Sequence, residues 1–112
     1  LFNTPEEVFE LHPKIRWAAK ASERGELAFC EMRPGVVGLT LEEQDRFFME
    51  KGVHMILKLF EQMVSWRRSV DSAVVSFDIF VMYLQRLNDG LLALTFEKDE
   101  DSWKTMIEIV NA

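Results

Sequence analysis

The stretch T-L-E-E-Q-D-R-F-F-M-E-K-G-V-H-M-I-L-K-L-F-E-Q-M-V-S-W, Thr40 to Trp66, decides the architecture. It opens on Thr40-Leu41-Glu42-Glu43, a capping box in which a hydroxyl and a glutamate three residues on satisfy the orphan N–H groups of a helix start. Nothing up to Trp66 stops a helix, so the spacing predicts one unbroken element on the order of 40 Å long at 1.5 Å per residue. Arg67 and Arg68 near its end complement the negative pole of the helix dipole. Apolar residues fall into two stripes. Met49, Val53, Ile56, Leu57, Phe60 and Val64 form one, and Phe48, Met55, Leu59, Met63 and Trp66 form the other. That arc is wider than covering one sheet requires. Either both stripes sink into a deep core, or part of the helix meets another chain. Gly52 costs about 1 kcal/mol relative to alanine inside a helix, and close approach of a neighbouring element is one reason to keep it there.

Before this helix, Thr4-Pro5-Glu6-Glu7 starts a short helix that is expected to end at His12, because Pro13 disfavours helical geometry in the residue before it. Ile15 to Ala21 alternates apolar residues at 15, 17, 19 and 21 with charges at 16 and 20, the period of a strand. Ser22-Glu23-Arg24-Gly25 supplies a hairpin turn, and a second strand runs from Glu26 to about Met32, ended by Arg33-Pro34-Gly35. After the long helix come β-rich runs at Ser72 to Phe77, Ile79 to Leu87 and Leu91 to Glu97. Asn88-Asp89-Gly90 is a hairpin signal between the last two, whereas Phe77-Asp78-Ile79 fits either a tight turn or a bulge. Asp101 or Ser102 caps a final helix whose apolar face is expected to hold Trp103, Met106, Ile107 and Val110. The expected class is α/β (α+β): a five-stranded antiparallel sheet in the order α-β-β-α-β-β-β-α, with a long central helix on one face, in a single domain over residues 1–112.

Composition narrows the function classes. With 48% hydrophobic residues and nine Phe, the chain is built to bury a core. A net charge of -6 argues against nucleic acid, which needs clustered Lys and Arg. The single cysteine makes no internal disulfide, which fits a reducing compartment. No apolar run reaches the roughly 18 residues that span a bilayer, and no basic-then-apolar leader opens the chain, so a soluble cytoplasmic protein is expected.

The element order resembles that of the roadblock/LC7 family of small α/β modules, over the whole chain. The phrases H-P-K-I-R (His12 to Arg16), M-R-P-G-V (Met32 to Val36) and L-T-L-E-E-Q-D-R-F-F-M-E (Leu39 to Glu50) also look like those of a small archaeal protein family, which brings no activity with it. The roadblock resemblance implies a homodimer that binds other proteins, often small GTPases or their regulators. It carries no site residue, because that family has no short invariant motif. Profilin-like and PAS-like sensor folds share the sheet-and-helix plan and imply a small-ligand pocket instead.

Candidate sites have plain structural readings beside the functional ones. Cys30 shares a strand face with Ala28 and Met32, as a buried inert thiol does, and a nucleophile would need a cation such as Arg33 or His12 beside it. His12 and His54 are isolated and lack zinc spacing. Glu42, Glu43, Asp45 and Glu50 suit the start of a helix, and Asp99 to Asp101 lacks the spacing of a calcium loop. Neither glycine turn is a phosphate loop, so no cofactor or metal is implied. The expected protein is a non-catalytic interaction module, homodimeric through the outer helix stripe at Phe48, Gly52, Met55, Leu59 and Met63, with an edge strand assisting. Met49, Ile56 and Phe60 are the names to exchange if the other stripe faces out. Arg33 either anchors the join of two elements or contacts a partner.

Overall fold

The computed structural model describes residues 2–63 and 70–112, apart from the side chains at 56, 57, 60 and 63. Its elements in order are α1 (Pro5–Phe9), β1 (Ile15–Ala21), β2 (Leu27–Met32), α2 (Glu42–Phe47), a π-helical turn (Phe48–Gly52), α3 (Val53–Met63), β3 (Ser72–Ser76), β4 (Phe80–Leu87), β5 (Gly90–Glu97) and α4 (Ser102–Val110). The five strands form one sheet in the order β2-β1-β5-β4-β3, with every neighbouring pair antiparallel. Among the described residues no helix is long and apolar enough to cross a membrane.

Local chemistry explains most of the boundaries. Gly25 turns the β1–β2 hairpin at φ +84°, and an added Cβ there would lie 2.4 Å from the Glu50 carbonyl oxygen, so the glycine also lets the hairpin press against the π turn. Phe77 donates its N–H to the Phe80 carbonyl at 2.9 Å, which makes the join of β3 and β4 a tight turn. Helix α1 stops at Phe9, short of His12. Arg33 takes the freed carbonyls of Phe9 and His12, so a longer helix is not needed to satisfy them. Thr40 does not cap the long helix either. The N-cap position is Leu41, whose N–H is accepted by the Gln44 side chain, while the Thr40 hydroxyl donates to the Asp45 carboxylate.

Both faces of the sheet are covered. One face packs Ile15, Ala18, Phe29, Leu92, Leu94 and Phe96 against α1 and α4, through Val8, Phe9, Met106 and Ile109. The other packs Trp17, Ala19, Ala21, Met82, Leu84 and Ala93 against the central helix, through Met49 and Val53. This corrects the alternation read in β1. An extra residue at Arg16 shifts the register against β5, which sends Ile15 and Trp17 to opposite faces. A second shift at Ala28 in β2 puts Leu27 on the face of Cys30 and Met32. Lys20 is consequently 5% exposed, and its Nζ donates to Asp89 Oδ2 at 2.9 Å. A buried ammonium needs such a partner.

The helix expected to run unbroken from Thr40 is interrupted by the i→i+5 turn at Phe48–Gly52, and its continuation toward Trp66, with Val64, Arg67 and Arg68, lies outside the described residues. The face of α4 also differs from expectation. Met106 points inward with Thr105 and Ile109, whereas Trp103, Ile107 and Val110 are exposed. Thr105 reads as polar in sequence but is buried, so hydrophobicity alone mis-sets the rotation. Met106→Ala is therefore expected to destabilise the protein by about 2–5 kcal/mol, and Trp103→Ala to stay within about 0.5 kcal/mol, in urea unfolding. Comparable losses in the two variants would contradict this placement of α4.

Candidate functional site

The central helix presents two candidate surfaces, and the π turn decides which residue belongs to which. Phe47 and Met55 stand eight residues apart, which is two turns once the π turn has absorbed one extra residue. Phe47, Met55 and Leu59 are accordingly exposed, at 66%, 71% and 58%. Phe48 does not join them. It packs against the sheet-facing cluster and lines a cavity. Gly52 lies under the ring of Phe48, where an added Cβ would stand 3.2 Å from Cδ1, so the close neighbour is its own helix. Ile56, Phe60 and Met63 lie outside the described side chains. Sequence reasoning missed Phe47, and the Phe47-Phe48 pair was the available signal: adjacent residues on a helix cannot share a face.

One edge of the sheet is β3, which pairs with β4 alone among the described strands. Its sequence S-A-V-V-S carries no charge and no proline, the devices by which edge strands avoid pairing with other chains. The opposite edge, β2, carries Glu31 and runs into Arg33-Pro34. Helix and edge are tied together through Glu61, which accepts from the Val70 N–H at 3.3 Å and from Arg86 of β4.

Under the helix, at the end away from Glu61, is a cavity of about 240 Å³. The sheet contributes Trp17, Met32, Phe80, Met82 and Thr95 to it, and the turn after β3 contributes Phe77. Leu39 and Thr40 wall it from the loop before α2, with Gln44, Asp45 and Phe48 from the helix. Arg16 holds that loop in place: its Nη2 donates to the Val37 carbonyl at 2.7 Å and its Nη1 lies 3.5 Å from Glu97 Oε2. Burial pushes the Asp45 carboxyl above the usual carboxylate range, partly offset by the Thr40 hydroxyl.

Arg33 and His12 make contacts within the fold. Arg33 donates from Nε to the Ile15 carbonyl at 2.6 Å and from Nη2 to Phe9 and His12 carbonyls at 2.8 Å each, with the guanidinium 5.0 Å over the Phe9 ring. Of the two roles open to it, anchoring the join is the one this geometry describes. His12 accepts the Lys14 N–H at Nδ1 and therefore donates from Nε2 to Glu108, linking the turn between α1 and β1 to α4. His54 has a buried Nε2 with no hydrogen-bond partner among the described residues. No group of three or more His, Cys, Asp or Glu among the described residues could hold a metal ion.

No protein-family model matches the chain, and no curated protein matches it. Solved structures do. MglB in a tetrameric arrangement superimposes with a TM-score of 0.67 at 12% identity, over 92% of this chain and 74% of that one. A roadblock/LC7 domain from Streptomyces avermitilis gives 0.61 at 12% identity, over 95% and 88% of the two chains. The fold is that of the roadblock/LC7 domain. The gliding protein MglB from Thermus thermophilus shares it, with a TM-score of 0.66 at 13% identity, over 92% and 75%. At these identities the likeness is one of roadblock/LC7 fold, and side-chain roles rest on this chain's own geometry.

Cys30 is half-buried, and burial raises its thiol pKa despite a hydrogen bond from Trp17. At neutral pH it is held as the thiol, the poor nucleophile of the pair. Alkylation by iodoacetamide at pH 7.5 is expected to be at least about tenfold slower in the folded protein than in urea. A folded-state rate equal to or above the unfolded one would make Cys30 a reactive residue.

Proposed function

We propose that residues 1–112 act as a single non-catalytic regulatory module in the cytoplasm, homodimeric, with a small GTPase or its regulator as the onward partner. The observation that carries this reading is the exposed row Phe47, Met55 and Leu59, together with an uncharged edge strand in the same chain. Exposed apolar surface of this kind marks binding sites, and a two-fold axis would bring the same strand of a second copy antiparallel to the first. Two copies meeting along β3 would extend the sheet and bury both helix rows in one interface, satisfying backbone groups and apolar surface together. The tetrameric arrangement of MglB, a protein of the same fold, supports an assembling module. The onward partner follows from the resemblance of the chain to roadblock proteins.

Size-exclusion chromatography with light scattering over a range of concentrations is expected to give a particle of twice the 13.1 kDa chain mass. Met55→Glu with Leu59→Glu is expected to convert it to a monomer with an unchanged circular dichroism spectrum. A wild type that is monomeric at every concentration would overturn the homodimer, and a double variant that stays dimeric would remove the helix row from the interface.

A further inference from the structure

The cavity under α2 lies on the inner side of the central helix, opposite the exposed row. At about 240 Å³ it exceeds the roughly 150 Å³ that holds a benzene ring in an engineered core, and falls short of the roughly 300–1,000 Å³ of drug-sized pockets. It has room for one ring and a short tail.

Its walls carry four aromatic side chains, Trp17, Phe48, Phe77 and Phe80, the last two stacked with centroids 4.5 Å apart. Ring faces are electronegative and attract cations. Among these apolar walls stands the Asp45 carboxylate, which receives the Thr40 hydroxyl but makes no ion pair with any described residue. Arg16 also lines the cavity, but its guanidinium is engaged by Glu97 and the Val37 carbonyl, and Arg46 pairs with Glu50 at 3.9 Å. The charge acting on Asp45 is another carboxylate, Glu42. An anionic ligand would meet the Asp45 charge with Arg16 already engaged by Glu97 and the Val37 carbonyl, and a purely apolar one would strip water from Asp45 without replacing it. A ligand with an apolar body and a positive nitrogen satisfies both the rings and the carboxylate.

We infer that this cavity is a binding site for a small hydrophobic amine, its apolar body held among Trp17, Phe48, Phe80 and Met82 and its ammonium donating to Asp45. The occupant is a free small molecule, because the site is a recess between sheet and helix closed on one side by the Arg16-anchored loop, and its volume suits a single ring.

The test titrates 2-phenylethylamine, 2-phenylethanol and 3-phenylpropanoate into the full chain and follows amide and indole signals by NMR. The amine is expected to shift the Trp17, Thr40 and Asp45 signals and to bind about tenfold or more tightly than the alcohol or the carboxylate. Asp45→Asn, which keeps the shape and an acceptor for Thr40, is expected to remove that preference and leave the alcohol's affinity unchanged. Met82→Trp, which fills the cavity, is expected to abolish binding of both. The inference falls if the amine binds no tighter than the alcohol, if Asp45→Asn leaves the preference intact, or if the shifts map outside the cavity. A short lysine-containing peptide that bound the same amides more tightly than the free amine would replace the small molecule with a protein side chain as the occupant.

Discussion

Met49 and Val53, both fully buried, hold the central helix onto the middle of the sheet, and the rest of the molecule is arranged around that contact. The surface they meet includes Ala19, Ala21 and Ala93, which are too small to hold a helix off. The backbone can therefore come close, and the β1–β2 hairpin completes the approach where only Gly25 fits against the Glu50 carbonyl. Met49 and Val53, four residues apart, share the inward face of the helix, with the π turn between them.

That local choice sets both candidate surfaces. At the start of the turn, Phe48 faces inward and, with Trp17 and Phe80, keeps the start of the helix away from the sheet, so the contact that is tight over the alanines opens into a recess at the aromatic end. Downstream, Met55 and Leu59 face outward, and the same one-residue offset lines Phe47 up with them. One helix thus offers an inner recess and an outer row.

Much of the fold is legible in the chain because it is written in local chemistry. Ile15–Ala21 reads as a strand with its observed limits, the Asn88-Asp89-Gly90 signal becomes the β4–β5 turn, and the long helix starts within two residues of Thr40. The continuous apolar run of β5 reflects burial on both faces. The candidate site is less legible. Met55 and Leu59 can be named from period alone, but an ideal helix period also puts Phe48 and Gly52 on their face, where the π turn does not leave them. Asp45 reads as a residue of a helix start, which its position justifies, and nothing in the order of residues places it beside Trp17 or Phe80.

The sequence by itself determined the number, type and order of the elements, because turns, caps and hydrophobic periods act over a few neighbouring residues. Only the tertiary structure decided which side chains share a face. The register shifts at Arg16 and Ala28 and the π turn at Phe48–Gly52 each insert one residue, and each is favoured or not by what packs on the far side of the chain. A one-residue offset reverses a strand residue and rotates a helix residue by roughly 100°. The interior recess and the exterior row are both consequences of such offsets, so they come into being only when the sheet and the helix meet.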